Sequence, residues 1–180
     1  MADNYLEFSE TLGPLTKQQK VWLEAQLSSI MVVNGKEFPA DKAPDCDQPN
    51  YRGLRFLRDY EDPDNDFESF GFGVAYQGTG KNRYAWIYSD EHGDPERVVH
   101  LVQKFLKKFC PDQCWSLTYA ATCSKPRVGE FGGGAVFITA DAICWQDAYD
   151  FVEQQRAVFK QNQKPHRRET EHGETTAIKP

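Results

Sequence analysis

One stretch of this chain concentrates the residue types that do chemistry: Cys123-Ser124-Lys125-Pro126-Arg127-Val128-Gly129-Glu130-Phe131-Gly132-Gly133-Gly134-Ala135. Lys125 and Arg127 lie close to Cys123, and neighbouring cations lower a thiol's pKa and favour the nucleophilic thiolate. Arg127 offers a planar fork for a carboxylate or phosphate. Ser124 adds a hydroxyl, and Gly132, Gly133 and Gly134 permit a ligand to approach main-chain N–H groups. The expected site is therefore a cationic, glycine-lined loop that binds an anion through Ser124, Lys125, Arg127 and Gly132–Gly134. The opposing reading is a wide loop whose glycines turn the chain and whose cations are solvated.

Other constellations are weaker. A thiol enzyme would take Cys123 as nucleophile and His92 or His100 as base, which requires the two side chains within hydrogen-bond reach. His92 stands among Asp90, Glu91 and Asp94, a grouping suited to proton transfer but equally to a loop entering a helix cap. Gly78-Thr79-Gly80-Lys81-Asn82 resembles the end of a phosphate loop, yet Ala75 and Asn82 occupy positions that need Gly and Ser or Thr, and a strand follows. A hairpin turn is expected there. Cys110 and Cys114 have the spacing of paired zinc ligands but no second pair, and Asp62, Asp64 and Asp66 lack the Gly and terminal Glu of a calcium loop. No metal and no cofactor is expected.

The elements that must hold these residues can be read from periodicity. Leu6, Phe8 and Leu12 alternate with polar residues, Glu10 excepted, and predict an opening strand. Thr16 and Gln19 form a capping box for a helix over about 16–31, closed by Asn34-Gly35. Lys36 to Tyr51, with Pro39, Pro44 and Pro49, reads as a long loop, and Gly53 to Leu57 as a short strand. An acidic turn over Tyr60–Asp66 precedes an aromatic hairpin, with Phe70, Phe72, Val74 and Tyr76 on one arm and Tyr84, Trp86 and Tyr88 on the other. These stripes are assigned to the core rather than to a stacking platform for nucleic acid, since only Lys81 and Arg83 flank them. Asp94-Pro95 starts a helix with the stripe Val98, Val99, Val102, Phe105, Leu106 and Phe109. Strands follow at Cys114–Thr122 and Ala135–Thr139. A final helix, capped by Thr139 or Asp141, carries Cys144, Ala148, Phe151, Val152 and Phe159.

Hairpins with segregated helices define an α+β fold: a mainly antiparallel sheet packed against about three helices on one face. One domain is expected over 1–159, with a polar, disordered tail over 160–180. At 180 residues such a chain buries roughly two-thirds of its unfolded surface. The aromatic share of 13% offsets a modest aliphatic content. The net charge of −6, from 27 acidic and 21 basic residues, counts against nucleic acid as a partner and favours solubility. No run approaches the ~20 apolar residues that span a bilayer, and the N-terminus lacks the pattern of a signal peptide. Five scattered cysteines fit free thiols in a reducing cytoplasm.

The box Cys123-Ser124-Lys125-Pro126-Arg127, with Phe131-Gly132-Gly133-Gly134-Ala135 and Thr139-Ala140, resembles a signature of small bacterial proteins of unknown function that phages and plasmids also carry. The similarity extends more loosely to the first strand and helix and to the helix around Val102. It implies a bacterial or mobile-element source and brings no activity with it. The expectation for function is a non-catalytic binding protein, an accessory protein or inhibitor that engages a protein partner, including mimicry of nucleic acid towards a host defence enzyme. The alternative is a small-anion binder or a thiol enzyme built on the Cys123–Gly134 loop.

Overall fold

A computed structural model describes residues 2–60 and 71–163. Six antiparallel strands form the main sheet in the order β5-β6-β1-β7-β8-β9: β5 (Gly73–Gln77), β6 (Tyr84–Ser89), β1 (Asn4–Leu12), β7 (Cys114–Cys123), β8 (Gly132–Thr139) and β9 (Ile143–Asp147). The N-terminal strand is thus central. It pairs with β6 on one side (Phe8 opposite Ser89) and with β7 on the other (Phe8 opposite Tyr119). Glu10, which interrupts the alternation of β1, is half-buried, and its carboxylate accepts from the Thr118 hydroxyl at 3.3 Å.

Helices α1 (Lys17–Gln26) and α2 (Pro95–Phe109) form the layer on the sheet. The start of α1 is written in the sequence: Gln19 N–H donates to Thr16 Oγ1, and Thr16 N–H donates to Gln19 Oε1, so two orphan donors of the first turn are satisfied reciprocally. At α2, Asp94 accepts from Arg97 N–H at 3.0 Å and Pro95 stands at the first helical position, where its missing N–H costs nothing. Val98, Leu101, Val102, Phe105 and Leu106 of α2 are buried against Leu117, Val136 and Ile138 of the sheet. Trp22 of α1 packs edge-on to Phe109, ring centroids 5.5 Å apart. The α+β architecture with an antiparallel sheet is as expected.

Several local expectations are corrected. The first helix ends at Gln26, and Ser29–Val33 is strand β2, not its last turn. Asn34 and Gly35, both at positive φ (49° and 74°), are the two-residue turn of a hairpin, the conformation that opposes right-handed strands most readily. The turn leads into β3 (Lys36–Pro39), so the supposed long loop begins as a strand. Strand β4 (Tyr51–Leu54) completes a second sheet, ordered β3-β2-β4, and a single 3-10 turn over Arg55–Leu57 replaces the end of the expected strand. Leu54, Phe56 and Leu57 join the same core as α1 and α2.

The aromatic hairpin forms, with Gly78–Asn82 in its turn, but only one arm points inward. Val74 and Tyr76 pack on the core, with Ala85 and Ile87 as their buried neighbours on β6. Tyr84, Trp86 and Tyr88 lie on the opposite face, where Trp86 stacks on Tyr88 at 4.2 Å and donates through Nε1 to Ser9 Oγ. Assignment of that stripe to the core was therefore wrong; small Ala85 fits beneath the helices where a large ring would not. Residues 143–147, taken as part of the last helix, form β9, and Thr139 Oγ1 accepts from the N–H groups of Asp141 and Ala142 in the turn before it. Helix α3 (Ala148–Gln163) follows directly and passes the expected boundary at 160. Phe70 and all but the first residue of the acidic turn lie outside the described residues, as does the tail from 164. Among the described residues no helix is long and apolar enough to cross a membrane.

Candidate functional site

The site expected from the sequence lies at the open end of β7 and β8. Cys123 is the last residue of β7, and residues 124–131 form the connection to β8. Ser124 ties this connection to the N-terminus: its N–H donates to the Asp3 carbonyl, and Asp3 N–H donates to Ser124 Oγ, both at 2.9 Å. A hydroxyl expected to face a ligand is instead used to extend the β1–β7 ladder.

The triple glycine belongs to the sheet. Gly132, Gly133 and Gly134 are the first residues of β8 and stand opposite Ala121, Ala120 and Tyr119. Gly133 has φ +140°, and a Cβ there would come within 2.4 Å of the Tyr119 carbonyl oxygen. At Gly134 a Cβ would meet both the Gln146 carbonyl oxygen and the Tyr119 hydroxyl at 2.7 Å. The glycines are needed for close strand approach and for room under the Tyr119 ring, so an anion nest over 132–134 is not how they are used.

The ionisation of Cys123 also runs against the expectation. Its thiol donates to Glu130 Oε2 at 2.9 Å. That bond to a carboxylate raises the thiol pKa, and the Lys125 backbone N–H and the Arg127 charge, which act the other way, do not outweigh it. Arg127 is half-exposed and sits 3.5 Å from Glu130, so its charge is partly spent on the same carboxylate. His100 Nε2 lies 3.1 Å from the Phe56 carbonyl, to which it must donate, and burial lowers its pKa to about 4. His92 is exposed in a segment hydrogen-bonded along β1 by Leu6 N–H to the Glu91 carbonyl (2.7 Å) and Gly93 N–H to the Leu6 carbonyl (2.9 Å). Neither histidine is hydrogen-bonded to Cys123.

Beside the connection is an open cleft of about 370 Å³ lined by Tyr5, Tyr119, Thr122, Glu130, Phe131, Asp147 and Tyr149, among others. Burial and the carboxylates of Asp147 and Asp150 raise the pKa of Tyr119. The wall contributed by β9 and α3 was not foreseen. Tyr149 Oη lies 3.0 Å from the carbonyl oxygens of both Gly129 and Phe131 and braces the connection. Asp147 accepts from Asp150 N–H at 2.7 Å and so caps α3 at the point where strand becomes helix. Glu130 could have been found from its position seven residues after the cysteine; Tyr149 gave no such signal.

What the loop presents outward is apolar and basic. Val128 is fully exposed and Phe131 is 49% exposed, with Lys125 and Arg127 on the same connection. The cysteines Cys46, Cys114 and Cys144 are exposed, Cys110 accepts a long hydrogen bond from Gln19 Nε2 at 3.7 Å, and none is paired in a disulfide. Among the described residues no three His, Cys, Asp or Glu side chains gather as a metal site would require. Comparison with protein families, with curated proteins and with solved structures found no match to this chain.

Proposed function

We propose that this chain is a non-catalytic binding protein that docks on a protein partner through the connection between β7 and β8. The observation that carries the reading is the pairing of an exposed apolar tip, Val128 and Phe131, with a braced base: Ser124 on Asp3 at one end and Tyr149 on Gly129 and Phe131 at the other. A rigid loop loses little conformational entropy when it binds. Exposed apolar side chains among cations suit a partner surface with an apolar centre and a carboxylate rim. A protonated thiol and carboxylates in the adjoining cleft weigh against both a nucleophile and a small anion there.

The finer reading is an accessory protein or inhibitor made by a bacterial mobile element and acting in a reducing cytoplasm, including against a host defence enzyme. The sequence box, the net charge of −6 and the free cysteines support it. The test is affinity capture from the bacterial host with the wild type, Lys125→Ala/Arg127→Ala and Val128→Asp. Loss of one protein from both variants supports the reading. Capture of the same set by all three overturns it, and calorimetric binding of inorganic phosphate that Lys125→Ala/Arg127→Ala abolishes would replace it with the anion binder.

A further inference from the structure

Helix α3 leaves an apolar stripe without a partner. All its side chains from Ala148 to Asn162 are exposed, including Phe151 (54%), Val152 (43%), Val158 (50%) and Phe159 (62%). At 3.6 residues per turn these four, with Ala148, fall within about 60° either side of Gln155, so they form one face. The opposite face holds Asp150, Glu153 and Lys160. A helix of 16 residues is marginal in water without tertiary packing. Its stability calls for something that covers the stripe.

The sequence of the helix identifies that occupant. About Gln155 it reads nearly the same in both directions: Val152 and Val158 lie three residues away, Phe151 and Phe159 four, and Asp150 and Lys160 five, the last pair of opposite sign. A two-fold axis through Gln155, perpendicular to the helix, would bring Phe151 and Val152 level with Phe159 and Val158 of a second copy. Each layer then holds two Phe and two Val, as the isologous contact of a symmetric dimer requires. The acidic half of α3, with Asp150 and Glu153, would lie beside the basic half of its copy, with Arg156 and Lys160, and the helix dipoles would oppose. A different partner would place no such symmetry on this sequence.

We infer that α3 is a self-association surface, on which two copies of the chain pack antiparallel about Gln155. A contact of this size is at the small end for stable interfaces, so dissociation on the order of micromolar is expected. The inference is independent of the β7–β8 connection, which faces solvent beside the helix.

Sedimentation of the full chain from low to high micromolar should show a rise from the 20.6 kDa monomer to twice that mass. Val152→Asp/Phe159→Asp should raise the dissociation constant by about 100-fold or more, because both sites lose apolar contact in both layers. Circular dichroism on the same variant at low concentration establishes that the body is folded. Orientation is read by oxidative crosslinking in a background with Cys46, Cys114 and Cys144 replaced by Ser. Gln155→Cys should crosslink to its own copy, Ala148→Cys alone should not, and Ala148→Cys mixed with Asn162→Cys should. A monomer at every concentration, a dimer that Val152→Asp/Phe159→Asp leaves intact, or crosslinking of Ala148→Cys to itself overturns the inference.

Discussion

The thiol of Cys123 and the carboxylate of Glu130 face each other across 2.9 Å, with the thiol as donor. The bond joins the end of β7 to the residue just before β8 and sets the state of a buried cysteine. A thiolate next to that carboxylate would meet like charge, so the proton is held.

Alkylation should therefore report the bond. At pH 8, iodoacetamide should label Cys46, Cys114 and Cys144 before Cys123. Glu130→Gln removes the charge that raises the thiol pKa, and the pH–rate profile of Cys123, read by peptide mass spectrometry, should shift to lower pH. An unchanged midpoint would mean that burial alone protects the thiol.

The glycines of β8 should not respond alike to alanine. Gly132→Ala meets only the Tyr149 ring at 3.3 Å and should cost less than about 1 kcal/mol. Gly133→Ala, with its positive φ and a backbone oxygen at 2.4 Å, and Gly134→Ala, against backbone at 2.7 Å, should each cost more than about 2 kcal/mol. Urea denaturation separates these outcomes; equal, small losses at all three would return the glycines to a ligand role.

Acid sensitivity should trace partly to His100. Its folded pKa, about 4, is below the ordinary 6.5, mainly through burial and then through the Lys104 charge. The unfolded chain takes up the proton first, so stability is complete above pH 6.5 and falls as the pH drops towards 4. Because the ring is only half-buried, solvent screening reduces the loss to about 1–2 kcal/mol. His100→Gln, which can still donate to Phe56, should flatten the difference between denaturation midpoints at pH 7 and pH 4.5.

The two helix caps should differ in weight. Thr16→Ala removes a half-open capping box and should cost about 1 kcal/mol. Asp94→Ala removes the cap of α2 together with a 2.8 Å ion pair to the buried Arg97, and should cost about 2–4 kcal/mol. Thermal unfolding of the two variants in parallel checks the order.

These caps were legible because their signals are local: a Thr with Gln three residues on, an Asp before a Pro. The alternation of β1, β6 and β7 was legible for the same reason. Ile30 and Met31 were not, since they continue the helical spacing of Leu23 and Leu27, and only pairing with residues 36–39 and 51–54 makes them strand. Gly132–Gly134 have no side chains with which to show a period of two, so a strand there passes for loop. Which face of β6 turns inward depends on the width of the gap under α2, a property of the packed layers. The site suffered most: Glu130, Asp3 and Tyr149 take up the thiol, the serine and the loop carbonyls from three separate parts of the chain.

The central place of β1 has a consequence for synthesis. The first strand to leave the ribosome cannot pair on one side until residues 84–89 follow, nor on the other until residues 114–123 do. Closing contacts so far apart in sequence is slow. For most of translation Leu6, Phe8 and Leu12 therefore remain an unpaired apolar strand, and the growing chain is exposed to aggregation or chaperone capture until most of it has been made.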